Sequence, residues 1–125
     1  MKLLTSLIIS FIALQHYLFL ILEMFVWATP LGLKIFKHDQ KTADASAILA
    51  KNQGLYNGFL ASGLVWSLLL KNAPQAQALQ IFFLTCILIA GIYGGVTAAK
   101  NILLIQALPA CIALILLLTQ FSFNL

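Results

Sequence analysis

The chain contains no arginine, and its 125 residues include only three acidic residues, three prolines and two cysteines. Charged residues make up 8% of the sequence, against about 25% in an average soluble domain. The net charge of +4 comes from lysines scattered at the ends of apolar runs. No basic stripe with interleaved aromatic residues can be drawn from them, so the charge does not indicate nucleic-acid binding.

The residue types that usually carry cofactor or metal chemistry are also scarce. Cys86 and Cys111 fall inside apolar runs, where small packing residues are more common than disulfides or metal ligands. The sequence has no zinc-ligand spacing, no glycine-rich phosphate loop and no serine elbow. His16 and Glu23 lie about 10 Å apart along one helix, too far to share an ion, and His38 lies in a polar connection rather than opposite His16. We therefore predict no metal and no cofactor.

What the chain has in abundance is apolar sequence. Hydrophobic residues make up 62% of it, and the mean hydropathy is +1.03. Four runs are each long enough for the roughly 20 residues that cross a bilayer. We predict an all-α polytopic membrane protein: one domain, residues 1–125, with four transmembrane helices in a bundle at about 3–29, 46–70, 76–99 and 102–121. No soluble catalytic domain is expected in the remainder.

The first run resembles a secretory signal, because Lys2 precedes an apolar stretch. It continues through Leu22 without a polar, small-residue cleavage region, so we expect it to remain as the first span. Pro30 should end that span. Residues 31–44 are predicted as a short helix in the headgroup layer or, equally, a loop. Possible N-caps for the next helix, which should run from about residue 43 to 70, are Thr42, Asp44 and Ser46.

Lysines predict the orientation, since Lys and Arg near span ends are retained in the cytoplasm. Four alternating spans place five lysines on one side: Lys34, Lys37, Lys41, Lys51 and Lys100. Lys2 and Lys71 lie on the other side. We predict a multi-pass protein of the bacterial inner membrane with both termini extracytoplasmic.

The first run carries two ionisable residues, His16 and Glu23, which hydrocarbon does not tolerate without partners. Counting 1.5 Å per residue places Glu23 and several polar residues within about 7–15 Å of the same membrane face, with His16 nearer the midplane. We predict that Glu23 and His16 are acid–base candidates and that the ligand-binding residues are Asn52, Gln53, Tyr56, Asn57, Tyr93 and Gln106. The opposite, extracytoplasmic half of the membrane domain, including Leu60 to Leu70 and Ala110 to Leu118, should contain almost no polar side chain able to ligate or titrate.

Helical periodicity sharpens this prediction. It places His16, Leu20, Glu23 and Trp27 on one stripe of the first helix. On the second helix it assigns Asn52, Gln53, Tyr56 and Asn57 to one arc and Gly54, Gly58 and Ser62 to the other side. Small residues recur in the same way at Gly91, Gly95 and Ala99. Such rows of small residues at four-residue spacing predict that the helices pack closely.

Each polar residue also has a structural interpretation. Glu23 can extend to the cytoplasmic surface or hold the bundle by one hydrogen bond, and His16 can bond across helices for stability alone. The amides can serve as packing contacts between helices. Trp27 is expected in the aromatic belt or facing lipid, and His38 in solvent.

Several segments resemble a known family. They are His16 with Leu22-Glu23-Met24-Phe25-Val26-Trp27, Asn52-Gln53-Gly54-Leu55-Tyr56-Asn57-Gly58-Phe59, Ala90-Gly91-Ile92-Tyr93-Gly94, and Gln106 with Pro109. Together they are similar to a family of small bacterial integral membrane proteins, domain of unknown function thirteen-oh-four. The resemblance spans nearly the whole chain and implies a four-span bacterial membrane protein. It implies no activity.

Three functions are compatible with a polar site inside the membrane. The first is small-molecule or proton-linked binding and transport, with Glu23 and His16 exchanging protons; size and an intramembrane acid offer a fold-level analogy to small multidrug transporters. The second is an enzyme with acid–base chemistry on an apolar substrate, for example an isomerase. The third is an accessory subunit of a membrane complex. Membrane lipid, a small apolar or cationic ligand and a second copy of the chain are the expected partners.

Overall fold

The structure is a computed structural model that describes residues 2–122, and these form helices joined by short connections with no strand among them. The elements are α1 (Lys2–Ile21), a π-helical segment (Leu22–Val26), α2 (Pro30–Phe36), α3 (Gln40–Leu69), α4 (Ala73–Thr97), a second π-helical segment (Leu103–Ala107) and α5 (Leu108–Ser122). The all-helical class predicted from the sequence is confirmed.

The helix count differs from the predicted four, because the described residues contain five α-helices. The additional helix is α2, in the connection where helix and loop were equally expected. Thr29 caps it by accepting a hydrogen bond from the Gly32 backbone N–H at 3.3 Å, and Pro30 occupies its first turn. It ends at Lys37, the one described non-glycine residue in the left-handed region, with φ 55°.

Three of the described helices are long and apolar enough to cross a membrane: Lys2–Val26, Ala73–Thr97 and Leu103–Gln120. The first continues through its π-helical segment without a break, because Ile21 and Trp27 keep right-handed helical angles. The second candidate span of the sequence prediction, 46–70, is not among them. It lies in α3, whose stretch Lys51-Asn52-Gln53 lowers the hydropathy.

The N-terminus of α3 corrects the predicted cap. Asp39, rather than Thr42, Asp44 or Ser46, accepts a hydrogen bond from the Thr42 backbone N–H at 2.7 Å, and α3 begins at the next residue. This hydrogen bond holds the pKa of Asp39 below its ordinary value of 3.8. Asn72 caps α4 in the same way, accepting from the Gln75 backbone N–H at 3.1 Å.

The contacts divide the chain into two compact units. The first unit is Leu14–Ala61, which contains the end of α1, its π-helical segment, α2 and most of α3. The second unit comprises the described residues of 1–13 and 62–125, with the start of α1, the end of α3, α4 and α5. Its core is aliphatic, with Ile12, Leu64, Leu84 and Ile87 fully buried.

Candidate functional site

Glu23 lies in the π-helical segment at the end of the apolar helix Lys2–Val26. In a π-helix each backbone hydrogen bond spans five residues instead of four, so one extra residue is inserted and the side chains that follow are rotated. Such segments are rare and occur frequently at functional sites. The sequence singles out Glu23 as an acid in an apolar run but does not predict this local geometry.

Asn57 on α3 is the hydrogen-bond partner of Glu23. The Asn57 Nδ2 atom donates to Glu23 Oε2 at 2.7 Å, within the first unit. Asn57 is only 4% exposed, and Glu23 is half-buried. A donor at this distance relieves part of the cost of placing a carboxyl group in an apolar helix. The hydrogen bond therefore joins two of the predicted site residues, an acid and a neutral amide.

Close approach of the two helices makes this hydrogen bond short. A Cβ atom at Gly54 would lie 2.7 Å from Met24 Cγ and 3.1 Å from both Glu23 Cβ and the Leu20 carbonyl oxygen. One turn further along α3, a Cβ at Gly58 would meet Leu20 Cδ1. A side chain at Gly54 would press on a backbone oxygen and on the Cβ of Glu23, whereas one at Gly58 would displace only the end of the Leu20 side chain. The spacing Gly54-x-x-Asn57-Gly58 places the amide between two contact points.

This arrangement corrects the predicted faces of α3. Asn57 was expected on one arc with Asn52, Gln53 and Tyr56, opposite the glycines, but it is buried on the same face as Gly54 and Gly58. Asn52 and Gln53 are exposed, and Tyr56 is 59% exposed with its ring 6.1 Å from that of Phe59. At about 100° per residue Asn57 lies at the boundary of the two arcs, so periodicity alone could not assign it.

His16 is fully buried, and its ring meets the edge of Phe19 at a centroid distance of 5.4 Å. It belongs to the same unit as Glu23. Two turns of helix separate the two residues, or about 10 Å along the axis. A proton passing between them would need an intermediate group.

Trp27 and His38 make specific contacts beside the π-helical segment that carries Glu23. The Trp27 Nε1 donates to Ser46 Oγ at 3.1 Å, and its place in the aromatic belt or against lipid stays a prediction. His38 was expected in solvent, but its Nε2 lies 3.2 Å from the Trp27 carbonyl oxygen and its ring centroid 4.5 Å from that of Trp27. Phe36 completes this aromatic cluster, with its ring 4.4 Å from that of Trp27. The cluster fixes α2 against the end of the helix that carries Glu23.

Tyr93 and Gln106, the remaining predicted ligand residues, belong to the second unit. Tyr93 is 71% exposed on α4, whereas Gln106 is half-buried in the second π-helical segment. This segment also packs against a glycine pair: a Cβ at Gly91 would lie 2.7 Å from the Ala107 backbone nitrogen, and one at Gly95 would meet Leu103. Their role in ligand binding stays a prediction.

The described residues contain no group of three His, Cys, Asp or Glu side chains close enough to hold a metal ion. Cys86 and Cys111 are free and half-buried.

Comparison with known proteins places the chain in a family. The family model described as "Protein of unknown function (DUF1304)", the family named by the sequence resemblance, matches residues 10–118. The chain belongs to this family. It is also 31% identical over 117 residues to "Uncharacterized protein YpaA" of Lactococcus lactis subsp. lactis (strain IL1403), covering 92% of this chain and 97% of that protein. No solved structure matches.

Proposed function

We propose that this DUF1304 protein is a multi-pass protein of the bacterial inner membrane that binds a small apolar or cationic molecule in a proton-linked manner at Glu23. The observation that carries the proposal is the 2.7 Å hydrogen bond from Asn57 to Glu23 at the end of a helix apolar enough to cross a membrane. A charged group at the centre of such a helix costs about 2.5–3.5 kcal/mol, and acids kept there usually have a function.

The fourth span of this proposal is α3. It is 30 residues long, about 45 Å at 1.5 Å per residue, which exceeds the thickness of the hydrocarbon core. Its residues Asn57 and Gly58 pack against Glu23 and Leu20 of the helix Lys2–Val26, so this part of α3 lies at the same depth as that helix. Its remaining turns toward Leu69 are apolar. With four spans, the lysine distribution favours extracytoplasmic termini.

A carboxyl group held by one neutral amide can take up or release a proton without breaking a salt bridge. Asn57 can donate to the ionised carboxylate, and its amide oxygen can accept from the protonated acid after rotation of the amide. A cationic ligand that approaches Glu23 would favour the ionised form. Ligand binding would therefore release a proton. Asn52, Gln53 and Tyr56 are exposed near Asn57 on α3 and are the candidate contacts for such a ligand.

The test uses tetraphenylphosphonium, a lipophilic cation, as the probe. Purified protein in weakly buffered detergent solution should release protons when the cation is added, up to one per bound cation. Glu23→Gln should abolish the release. Asp44→Asn is the matched control, since it removes one exposed carboxylate near the start of α3, about 20 Å along the helix from Asn57, and should leave the release unchanged.

The contrary result would be equally informative. If neither the cation nor a change in pH distinguishes the wild type from Glu23→Gln, the carboxyl group has no ligand role. The accessory function would then be favoured, because Glu23 and the close contact at Gly54 would serve packing alone.

A further inference from the structure

The second unit contains a polar cavity of about 310 Å³ at the end of its helices. The cavity is formed by the start of α1, the end of α3, the first turns of α4 and the last turn of α5. The stretch Leu60 to Leu70 was expected to carry almost no side chain able to ligate or titrate, and of that stretch Ser67, Leu68 and Leu70 line the cavity. At about 30 Å³ per water molecule the cavity has room for on the order of ten waters or one small headgroup.

Two lysines and several neutral polar groups line this cavity. Lys2 and Lys71 contribute the charge. The buried side of the lining holds Thr5, which accepts a hydrogen bond from Gln120 Nε2, and Ser67, whose hydroxyl donates to the Leu64 carbonyl at 2.6 Å. Gln120 joins the start of α1 to the end of α5, so the lining is assembled from residues far apart in sequence.

The lysines of the cavity have no acidic residue in their own unit. The three acidic residues of the chain are Glu23, Asp39 and Asp44, and all lie in the first unit, Leu14–Ala61. The helix dipoles do not supply the balance, because two helix N-termini and two helix C-termini meet at this end. The described lining therefore carries two lysine ammonium groups and no acidic side chain, a charge that an anion complements.

An apolar groove adjoins the polar cavity. It has a volume of about 380 Å³ and is lined mainly by Trp66, Leu70, Ala78 and Leu79, with Leu70 shared between groove and cavity. Trp66 is 57% exposed beside it, as tryptophans at the membrane interface often are. Lys2 and Lys71 lie at or next to the ends of the apolar helices Lys2–Val26 and Ala73–Thr97, the depth at which lipid headgroups occur.

We propose that this end of the second unit is a binding site for one anionic phospholipid. The headgroup phosphate lies between Lys2 and Lys71, and an acyl chain follows the groove beside Trp66. A cationic, polar cavity that continues into an apolar groove matches an amphiphile with a negative headgroup. A free phosphate compound would use the cavity alone.

The experiment compares the retention of phosphatidylglycerol and phosphatidylcholine by purified protein in native mass spectrometry. One phosphatidylglycerol should be retained in preference to phosphatidylcholine. Lys71→Gln should weaken that retention about fivefold, as should Lys2→Gln, since one lysine near an anionic membrane surface contributes about 1 kcal/mol. Lys100→Gln is the matched control, a lysine of the same unit outside the cavity, and should leave retention unchanged.

A second variant tests the groove. Ala78 is exposed, so Ala78→Trp should fold normally but obstruct the acyl chain and reduce retention of phosphatidylglycerol. Equal retention of both lipids, or an equal loss in Lys100→Gln and Lys71→Gln, would overturn the proposal. Millimolar inorganic phosphate that displaces the lipid while Ala78→Trp has no effect would also overturn it and assign the cavity to a soluble anion.

Discussion

Glu23 and Asn57 form a hydrogen bond in which one partner alone can change its charge. The amide of Asn57 is neutral at every physiological pH, so any proton that the pair gains or loses is gained or lost by the carboxyl group of Glu23. Asn57 is nearly fully buried, and a buried amide that loses its acceptor costs more than the hydrogen bond contributes. The stability of the pair and its proposed proton exchange can therefore be separated by the choice of substitution.

Glu23→Ala should destabilise the protein by about 1–3 kcal/mol, because it leaves the Asn57 amide buried without its acceptor. Glu23→Gln should cost less than about 1 kcal/mol, since the glutamine carbonyl can accept the same hydrogen bond. Thermal unfolding in detergent measures both. Equal losses would mean that the charge of Glu23, rather than its acceptor oxygen, stabilises the contact with Asn57.

Asp39 provides a residue-scale test of pH dependence outside the membrane. Its pKa lies below the ordinary value of 3.8, chiefly because the Thr42 backbone N–H donates to the carboxylate. A lowered pKa in the folded state means that the capping contribution is present above pH 3.8 and is lost as the pH falls through the lower, folded-state pKa.

We expect faster hydrogen exchange of the Thr42 amide in Asp39→Ala at neutral pH, and near-normal protection in Asp39→Asn, because asparagine is an equally good N-cap. In the wild type the amide should lose protection as the pH is lowered below 3.8, and Asp39→Asn should not show this loss. Exchange measured by mass spectrometry on peptides covering the start of α3 distinguishes these cases. The same acid dependence in Asp39→Asn would assign it to another group.

At the scale of elements, the two π-helical segments share one feature: each packs against glycines of another helix. Glu23 and Met24 of the first segment face Gly54, and Leu103 and Ala107 of the second face Gly95 and Gly91. A π-helical turn is wider than an α-helical turn, which brings its backbone closer to the neighbouring helix. A side chain at Gly91 would collide with the Ala107 backbone, which cannot rotate away, whereas one at Gly95 would meet the Leu103 side chain.

Two glycines of α4 give a matched comparison. A Cβ at Gly91 would lie 2.7 Å from the Ala107 backbone nitrogen, whereas one at Gly94 would lie 3.3 Å from the Cγ2 methyl of the Ile102 side chain. Gly91→Ala should destabilise by about 1–3 kcal/mol through overpacking. Gly94→Ala should be neutral or stabilising by up to about 1 kcal/mol, because alanine favours helix. Unfolding of the two variants side by side is the measurement, and equal stabilities would show that the second π-helical segment yields to the new methyl group.

At the scale of the whole molecule, the number of membrane crossings decides whether the N-terminus and the C-terminus lie on the same side of the membrane. Three described helices are long and apolar enough to cross, and the proposal adds α3. With four crossings both ends face the same side, and with three they face opposite sides. The lysine count then selects the extracytoplasmic side for both ends in the four-span arrangement.

Reporter proteins fused to the N-terminus or the C-terminus test whether the number of spans is even or odd. Alkaline phosphatase, which folds outside the cytoplasm, should be active at the C-terminus and, behind a suitable leader, at the N-terminus. Green fluorescent protein should be dark at both when exported through the general secretory route. Fluorescence at one end only would place the ends on opposite sides and remove α3 from the set of spans.

The sequence by itself determined the all-helical class, the membrane-compatible composition, the family and the presence of an acid within an apolar helix. These follow from residue types and their order, which hydrocarbon restricts strongly. Helix ends were predicted within a few residues where Pro30 and Asn72 interrupt the apolar runs, but the actual cap of α3, Asp39, has near neighbours of equal capping propensity.

The tertiary structure alone decided which polar residues meet. Asn57 lies at the edge of two helical arcs, and the glycines beside it turn it toward Glu23. The π-helical segments depend on close packing against another helix, and local propensity does not encode them. The cavity near Lys71 brings Thr5 next to Gln120, 115 positions later, a proximity that arises only when the helices pack and that no periodicity within one helix can indicate.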